Sequence, residues 1–77
     1  MVLPLSSINT GETAKILVLA NPPLMAGRLF DLGFEPETAV TCVLRKRKKN
    51  IAAYLVRGAV IALREEDSRL ILVEALS

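Results

Sequence analysis

The chain has 77 residues, of which 52% are hydrophobic and only 4% aromatic, and it contains one cysteine and no histidine. A chain of this length forms one domain, residues 1–77, around one small aliphatic core, and so apolar a composition excludes a disordered segment. The absence of histidine removes the commonest general base and a common metal ligand, which argues against an enzyme and against a transition-metal cofactor. A lone cysteine excludes an internal disulfide and fits a reducing compartment.

The net charge of +2 is unevenly distributed, because five of the ten basic residues lie in Arg45–Lys49 and the rest of the chain is acidic. The apolar runs Ile16–Ala20 and Ala59–Leu63 are far shorter than the roughly 20 residues that span a bilayer. Met1–Ser7 lacks the basic start and apolar core of a secretory signal. We therefore expect a cytoplasmic protein.

The first predicted element is a strand, Thr13–Ala20, which is aliphatic and partly β-branched. A helix follows, with Asn21 as its N-cap and with Pro22 and Pro23 at positions whose amides have no partner inside the helix. One face of this helix carries apolar residues at i, i+4 and i+7, namely Met25, Leu29 and Leu32.

The helix is predicted to end at Leu32, because Gly33 can adopt the left-handed conformation that closes a Schellman cap. Phe34 then folds back onto the helix. The segment Glu35–Thr38 fits a β-turn with Pro36 at its second position, which redirects the chain into a strand.

The second half of the chain predicts four strands. Val40, Cys42 and Leu44 alternate with other residues and thus share one face of a strand that begins at Ala39 and leads to a basic hairpin tip. Gly58 marks the turn before the strand Ala59–Leu63, and "REEDS" predicts a charged turn after that strand. The remaining predicted strands are Ile51–Val56, Ala59–Leu63 and Leu70–Leu76. The pattern therefore predicts a mainly β fold, a small barrel of about five strands with one helical insertion after the first strand.

Two surfaces are candidates for binding a partner. Leu24 and Phe30 lie off the apolar helix face, so either the N-terminal segment Val2–Ile8 covers them or they form an apolar docking surface. The second candidate is the basic hairpin, which consists of Arg45, Lys46, Arg47, Lys48 and Lys49.

The basic hairpin has three readings. It can bind nucleic acid phosphates, but nucleic-acid modules usually interleave aromatics or glycines, which this block lacks. The favoured interpretation is a solvated hairpin tip whose lysines discourage aggregation between sheets. A solvated tip can also dock to an acidic protein surface, so this third interpretation stays open.

Other polar features predict no chemistry. The carboxylates of Arg64–Arg69, "REEDSR", have no histidine or patterned glycine beside them, so we assign no metal site and expect a solvated turn. Cys42 lies among aliphatic strand residues and no histidine is available to activate it, which favours a core position over a nucleophile.

Three stretches together resemble the FeoA family, the small cytosolic companions of the bacterial ferrous iron transporter FeoB: "LSSINTGETAKI", "GRLFDLGFEPETAV" and "VRGAVIALREEDSRLILV". The resemblance covers roughly Leu5 to Val73 and implies an SH3-like β-barrel. Its most specific parts are Leu32-Gly33-Phe34 with Pro36, and Arg57-Gly58 followed by Ile61-Ala62-Leu63-Arg64. Structural roles in turns, caps and packing are expected for Leu32, Gly33, Phe34, Pro36 and Gly58.

The resemblance implies a non-enzymatic, regulatory module that associates with the cytosolic G domain or the pore of FeoB and supports ferrous iron uptake. The alternative is a small SH3-like nucleic-acid-binding domain that uses Arg45–Lys49. Glu37 replaces a frequent glycine of the family and favours a type I turn after Pro36. Ser68 stands where alanine is common, and Pro22–Pro23 replaces a glycine-rich sequence.

Overall fold

The computed structural model describes residues 1–76, which form a sheet of six antiparallel strands with two helices. The strands are β1 (Val2–Pro4), β2 (Thr13–Leu19), β3 (Ala39–Lys46), β4 (Ile51–Val56), β5 (Ala59–Arg64) and β6 (Ile71–Ala75). The helices are α1 (Pro23–Asp31) and α2 (Glu65–Ser68), and Leu5–Ser7 and Arg47–Lys49 are 3-10 turns. The mainly β fold class predicted from the sequence is confirmed.

The strand order is β1-β6-β2-β3-β4-β5, so that β1 and β5 are the two edges of the sheet. The sequence predicted five strands, and the additional one is β1, which pairs antiparallel with β6. Three residues ending in Pro4 carry no period-two signal, and a proline is tolerated there because β1 is an edge strand. The predicted charged turn after β5 is instead the one-turn helix α2.

The core is built mainly from strand residues and also includes Leu29 of helix α1. It is aliphatic apart from two aromatic side chains and one thiol. Its buried apolar members are Leu5, Ile8, Ala14, Ile16, Leu29, Phe34, Val40, Cys42, Ala52, Tyr54, Val56, Leu63, Ile71 and Val73.

Strand β3 contains a bulge that changes which residues face the core. Cys42 pairs with Tyr54 and Leu44 with Ala53, so Val43 is an extra residue in the ladder. Cys42 is fully buried, whereas the side chain of Leu44 is half exposed. The prediction that Leu44 shares the core face with Cys42 is therefore wrong, because the bulge interrupts the two-residue alternation on which it relied.

The two ends of helix α1 are fixed by different hydrogen bonds. The predicted Asn21 cap does not form, since the Asn21 Nδ2 donates instead to the carbonyl of Asp67 in α2 at 2.9 Å. At the other end, Phe34 N donates to the carbonyl of Leu29 at 2.9 Å and Gly33 N to that of Phe30 at 3.0 Å. These are the two hydrogen bonds of a Schellman motif, and Gly33 has φ 110°.

The turn after α1 differs from its predicted type. Thr38 N donates to the carbonyl of Glu35 at 3.1 Å, which closes the β-turn around Pro36. Glu37, at the third position, has φ 74°, and a positive φ there defines a type II turn. The expected type I turn is wrong, because Glu37 adopts the backbone conformation of the glycine it replaces while its side chain forms an exposed ion pair with Lys15 at 3.6 Å.

Candidate interaction surfaces

Leu24 and Phe30 are both exposed on helix α1, at 76% and 50% of their surface. The predicted cover by Val2–Ile8 is wrong, because β1 pairs with β6 and Leu5 and Ile8 are buried in the core. Six residues on a helix correspond to a rotation of about 600°, which places the two side chains about 120° apart around the helix axis, so they point to different sides of α1. Helix geometry therefore does not join them into one patch.

Arg45 does not belong to the exposed basic tip. Its Nη2 donates to the carbonyl of Ile8 at 2.7 Å and lies 3.4 Å from the Tyr54 hydroxyl and 3.8 Å from Cys42 Sγ. The bulge at Val43 shifts the alternation of β3 by one residue and turns Arg45 inward. The guanidinium thus satisfies buried polar atoms instead of facing a partner.

The other four basic side chains stay on the surface. The 3-10 turn Arg47–Lys49 follows β3 and ends at Asn50, which is left-handed with φ 51°. Lys46 precedes this turn, and all of these basic residues are exposed. The hairpin therefore presents a local positive charge of four residues, and no acidic residue lies within the turn itself.

Arg57 holds helix α1 against the β4–β5 turn. Arg57 and Gly58 form a two-residue hairpin loop, and both have positive φ, 49° and 80°. The Arg57 guanidinium lies 3.5 Å from Glu35 Oε2, and its aliphatic stem passes over Gly33 so closely that a β-carbon there would be 3.1 Å from Cδ. Gly33 is thus required both by its φ and by the close approach of Arg57.

An open groove of about 450 Å³ lies between α1 and β5. Its apolar lining comes from the helix face predicted from the sequence and from the edge strand. The residues that line it are Met25, Arg28, Leu29, Leu32, Ile61, Ala62, Leu63, Arg64, Glu66 and Asp67. The sequence indicated the helix half of this groove, but not the strand opposite it, because nothing local places β5 at the sheet edge.

Residues 1–76 contain no group of three or more cysteine and acidic side chains that could hold a metal ion. Cys42 is buried as a core residue, and the carboxylates of α2 are largely exposed. Over the same residues, no helix is long and apolar enough to cross a membrane.

Comparison with family models gives a match to the FeoA domain over residues 3–75. The chain belongs to the FeoA family. FeoA domains are small accessory or regulatory domains, not a known enzyme family, and are linked to ferrous iron transport. Comparison with curated protein sequences returns no significant match.

Solved FeoA structures share the fold of this FeoA domain. The FeoA protein from Chlorobium tepidum superposes with a TM-score of 0.91 at 21% identity, covering 97% of this chain and 71% of that one. A crystal structure of an iron uptake regulatory protein (FeoA) gives 0.86 at 18% identity and covers 99% of both chains. These likenesses confirm the predicted SH3-like fold.

A manganese-dependent transcriptional repressor contains the same fold as part of a longer chain. The TM-score is 0.91 at 16% identity, over 97% of this chain but only 37% of the repressor. The FeoA domain described here thus matches one portion of that repressor, and the likeness concerns the fold alone.

Proposed function

We propose that this FeoA domain is a cytosolic regulatory module of ferrous iron uptake that binds a FeoB-like transporter, at its G domain or its pore. The observation that carries the proposal is the family match over residues 3–75, since the family is linked to ferrous iron transport. Binding, not catalysis, is the activity that the surfaces support. The domain offers exposed apolar side chains, an open groove lined by apolar and charged residues, and a basic tip.

Two of the proposed contact surfaces, the exposed side of α1 and the basic tip, predict how binding should respond to substitution and to salt. Leu24 is the most exposed large apolar side chain of α1 and Phe30 lies near its end, so truncating either one removes apolar area that a partner would bury. The tip residues Lys46–Lys49 would attract an acidic surface of the transporter, and their contribution would fall with added salt.

The first test is ferrous uptake in a strain that lacks this protein. We expect uptake to fall and to recover with the wild-type gene, but less with Leu24→Ser or Phe30→Ser. The matched control is Val18→Ser, since Val18 is an exposed apolar residue of β2, on a different element. Normal ferrous uptake in the deletion strain would refute the proposed function.

Direct binding is tested by amide NMR spectra of the isotope-labelled chain during titration with the transporter's G domain, in nucleotide-free, GDP and GTP-analogue forms. Shifts that cluster on α1, on the basic tip or along the groove would identify the surface that binds. An unchanged spectrum with each nucleotide would exclude the G domain, and titration with the complete transporter would then test the pore.

The exposed cations at the hairpin tip favour a second candidate function, nucleic-acid binding. Four phosphate contacts would make the logarithm of the affinity fall with the logarithm of the salt concentration with a slope of about −3 to −4. Arg45 adds nothing to this, because its guanidinium is bonded inside the fold. Titration of labelled duplex and single-stranded DNA at two salt concentrations would exclude this function if no salt-dependent binding appears.

A further inference from the structure

The outer edge of β5 carries backbone groups that the sheet leaves unpaired. Val56 pairs with Ala59 across the two-residue turn, and Glu65 N donates to the carbonyl of Asn50 at 2.8 Å at the other end of the hairpin. Val56–Ala59 and Asn50–Glu65 are therefore hydrogen-bonded pairs of the antiparallel ladder. Hydrogen-bonded pairs alternate along the strands with pairs whose amides and carbonyls point away from the partner strand. The amides and carbonyls of Val60 and Ala62 therefore point away from β4.

Of these two residues, Ala62 lines the groove beside α1, and Val60 lies on the same strand edge just outside it. Consecutive residues of β5, Ile61 to Arg64, line it, although alternate side chains of a strand point to opposite faces. A cavity touched by both sets of side chains lies along the edge of the strand and not against one of its faces. The groove therefore brings the free backbone groups of Ala62 opposite a helix, and those of Val60 continue the same edge beyond it.

Helix α1 forms the opposite wall and runs antiparallel to β5. Gly33, just beyond its end, packs against Arg57 at the start of the β4–β5 turn, and Asn21, just before its start, is bonded to Asp67 beyond the end of β5. Helix and strand are thus held together at both ends, and the groove between them stays open.

The edge lacks the features with which proteins usually block pairing. The sequence of β5, AVIALR, contains no proline, no lysine and no acidic residue, and its one charged residue is the last, Arg64. Val60 is 61% exposed, and Leu32, which directly follows the facing helix, is 46% exposed. An extended segment in the groove would cover both and would satisfy the amide and carbonyl groups of the edge.

Charge further specifies the occupant. Arg28 and Asp67 both line the groove, and among residues 1–76 neither forms an ion pair. Asp67 lies near the end of β5 and Arg28 one helical turn before Leu32. A complementary segment therefore carries a basic side chain near α2, an acidic side chain opposite Arg28, and apolar side chains between and beyond them.

We propose that the transporter binds by adding an extended segment of its own as a strand along the edge of β5, in the groove against α1. This inference rests on the proposed function and names the surface and the backbone pairing that it uses. The segment is apolar with one basic and one acidic side chain, placed to meet Asp67 and Arg28.

Hydrogen exchange of the full chain tests the pairing directly. In the free protein we expect the amides of Val60 and Ala62 to exchange quickly and those of Ile61 and Leu63 slowly, because only the latter are bonded to β4. Adding the complete FeoB-like transporter in lipid nanodiscs should slow exchange at Val60 and Ala62 by about tenfold or more. Residues 51–56 of β4, already paired on both sides, are the internal reference.

Two substitutions of Ala62 separate the contribution of its backbone amide to binding from that of its side chain. Ala62→Pro removes an amide that the fold does not use, and we expect it to weaken transporter binding about tenfold or more. Ala62→Thr keeps the amide and suits a strand, so binding should stay within about twofold. Thermal unfolding checks that both variants fold, and if Ala62→Pro does not, the exchange result on the unaltered chain decides alone.

Three outcomes would overturn the inference. Binding of the transporter with unchanged exchange at Val60 and Ala62 would refute strand addition and leave the proposed function standing. Protection that appears with empty nanodiscs, or with rising concentration of the chain itself, would assign the edge to a lipid surface or to a second copy. No binding to the transporter, together with normal uptake in the deletion strain, would refute the proposed function along with the inference.

Discussion

Replacement of Gly33 by alanine tests how helix α1 is set against the sheet. The φ of 110° is a conformation that non-glycine residues adopt at a cost of about 1–3 kcal/mol. A β-carbon would also lie 3.1 Å from Arg57 Cδ, which displaces a side chain whose ion pair with Glu35, at 3.5 Å, contributes about 0.2–1 kcal/mol. We therefore expect Gly33→Ala to lower the free energy of unfolding by about 2–3 kcal/mol.

Urea and thermal unfolding followed by circular dichroism measure this loss, which corresponds to a fall of about 10–20 °C in the melting temperature of a domain of this size. Two other glycines are matched controls. Gly58→Ala meets no atom within 4 Å but has φ 80°, so it should lose about 1–2 kcal/mol through strain alone. Gly27 lies in α1 with open space around it, so Gly27→Ala should raise the free energy of unfolding by about 0.8–1 kcal/mol.

Repeating Gly33→Ala in an Arg57→Ala background separates the cost of the backbone strain at Gly33 from the cost of the close contact with Arg57. The part of the loss that comes from the close approach should disappear there, and the part that comes from φ should remain. A stabilising Gly33→Ala, like that expected of Gly27→Ala, would refute the assignment of strain at this helix end. An unchanged cost in the Arg57→Ala background would refute the contribution of the contact.

Three further predictions concern stability and accessibility. Glu37→Gly should raise the free energy of unfolding by about 0.5–1 kcal/mol, because it relieves a side chain held at φ 74°, and urea unfolding would contradict this if the midpoint fell. Arg45→Ala should cost about 1–3 kcal/mol, since the carbonyl of Ile8 loses its donor, whereas Lys48→Ala at the exposed tip should stay within about 0.5 kcal/mol. Cys42 is fully buried, so we expect a thiol reagent to modify it about a hundredfold faster in denaturant than in buffer, and rapid labelling of the native protein would show that the core opens there.

Local sequence signals located most of the fold. The strand Ile51–Val56 was predicted at its observed bounds, and the end of α1 was identified from Gly33 and Phe34. These predictions succeed because the conformations concerned depend on neighbouring residues, through side-chain period and the tolerance of glycine for positive φ. The type of the turn at Glu37 was predicted wrongly, because the closure of the chain between α1 and β3 overrides the preference of a single residue there.

The candidate surfaces were less predictable than the fold. Leu24, Phe30 and the basic hairpin were found from composition and helical spacing, and their role in binding stays a prediction. Arg45 was assigned to the basic surface because it is contiguous with Lys46 in the chain. Its inward direction depends on the bulge, which exists only in the pairing of β3 with β4.

The sequence by itself determined the fold class, the burial of Cys42, the stop of α1 at Gly33 and the resemblance to FeoA, because each depends on short spacings or on a family pattern. The tertiary structure decided that β1 pairs with β6, that Arg45 turns inward and that β5 is an open edge facing α1. These features depend on register between strands distant in the chain, and register is settled by the packing of a shared core.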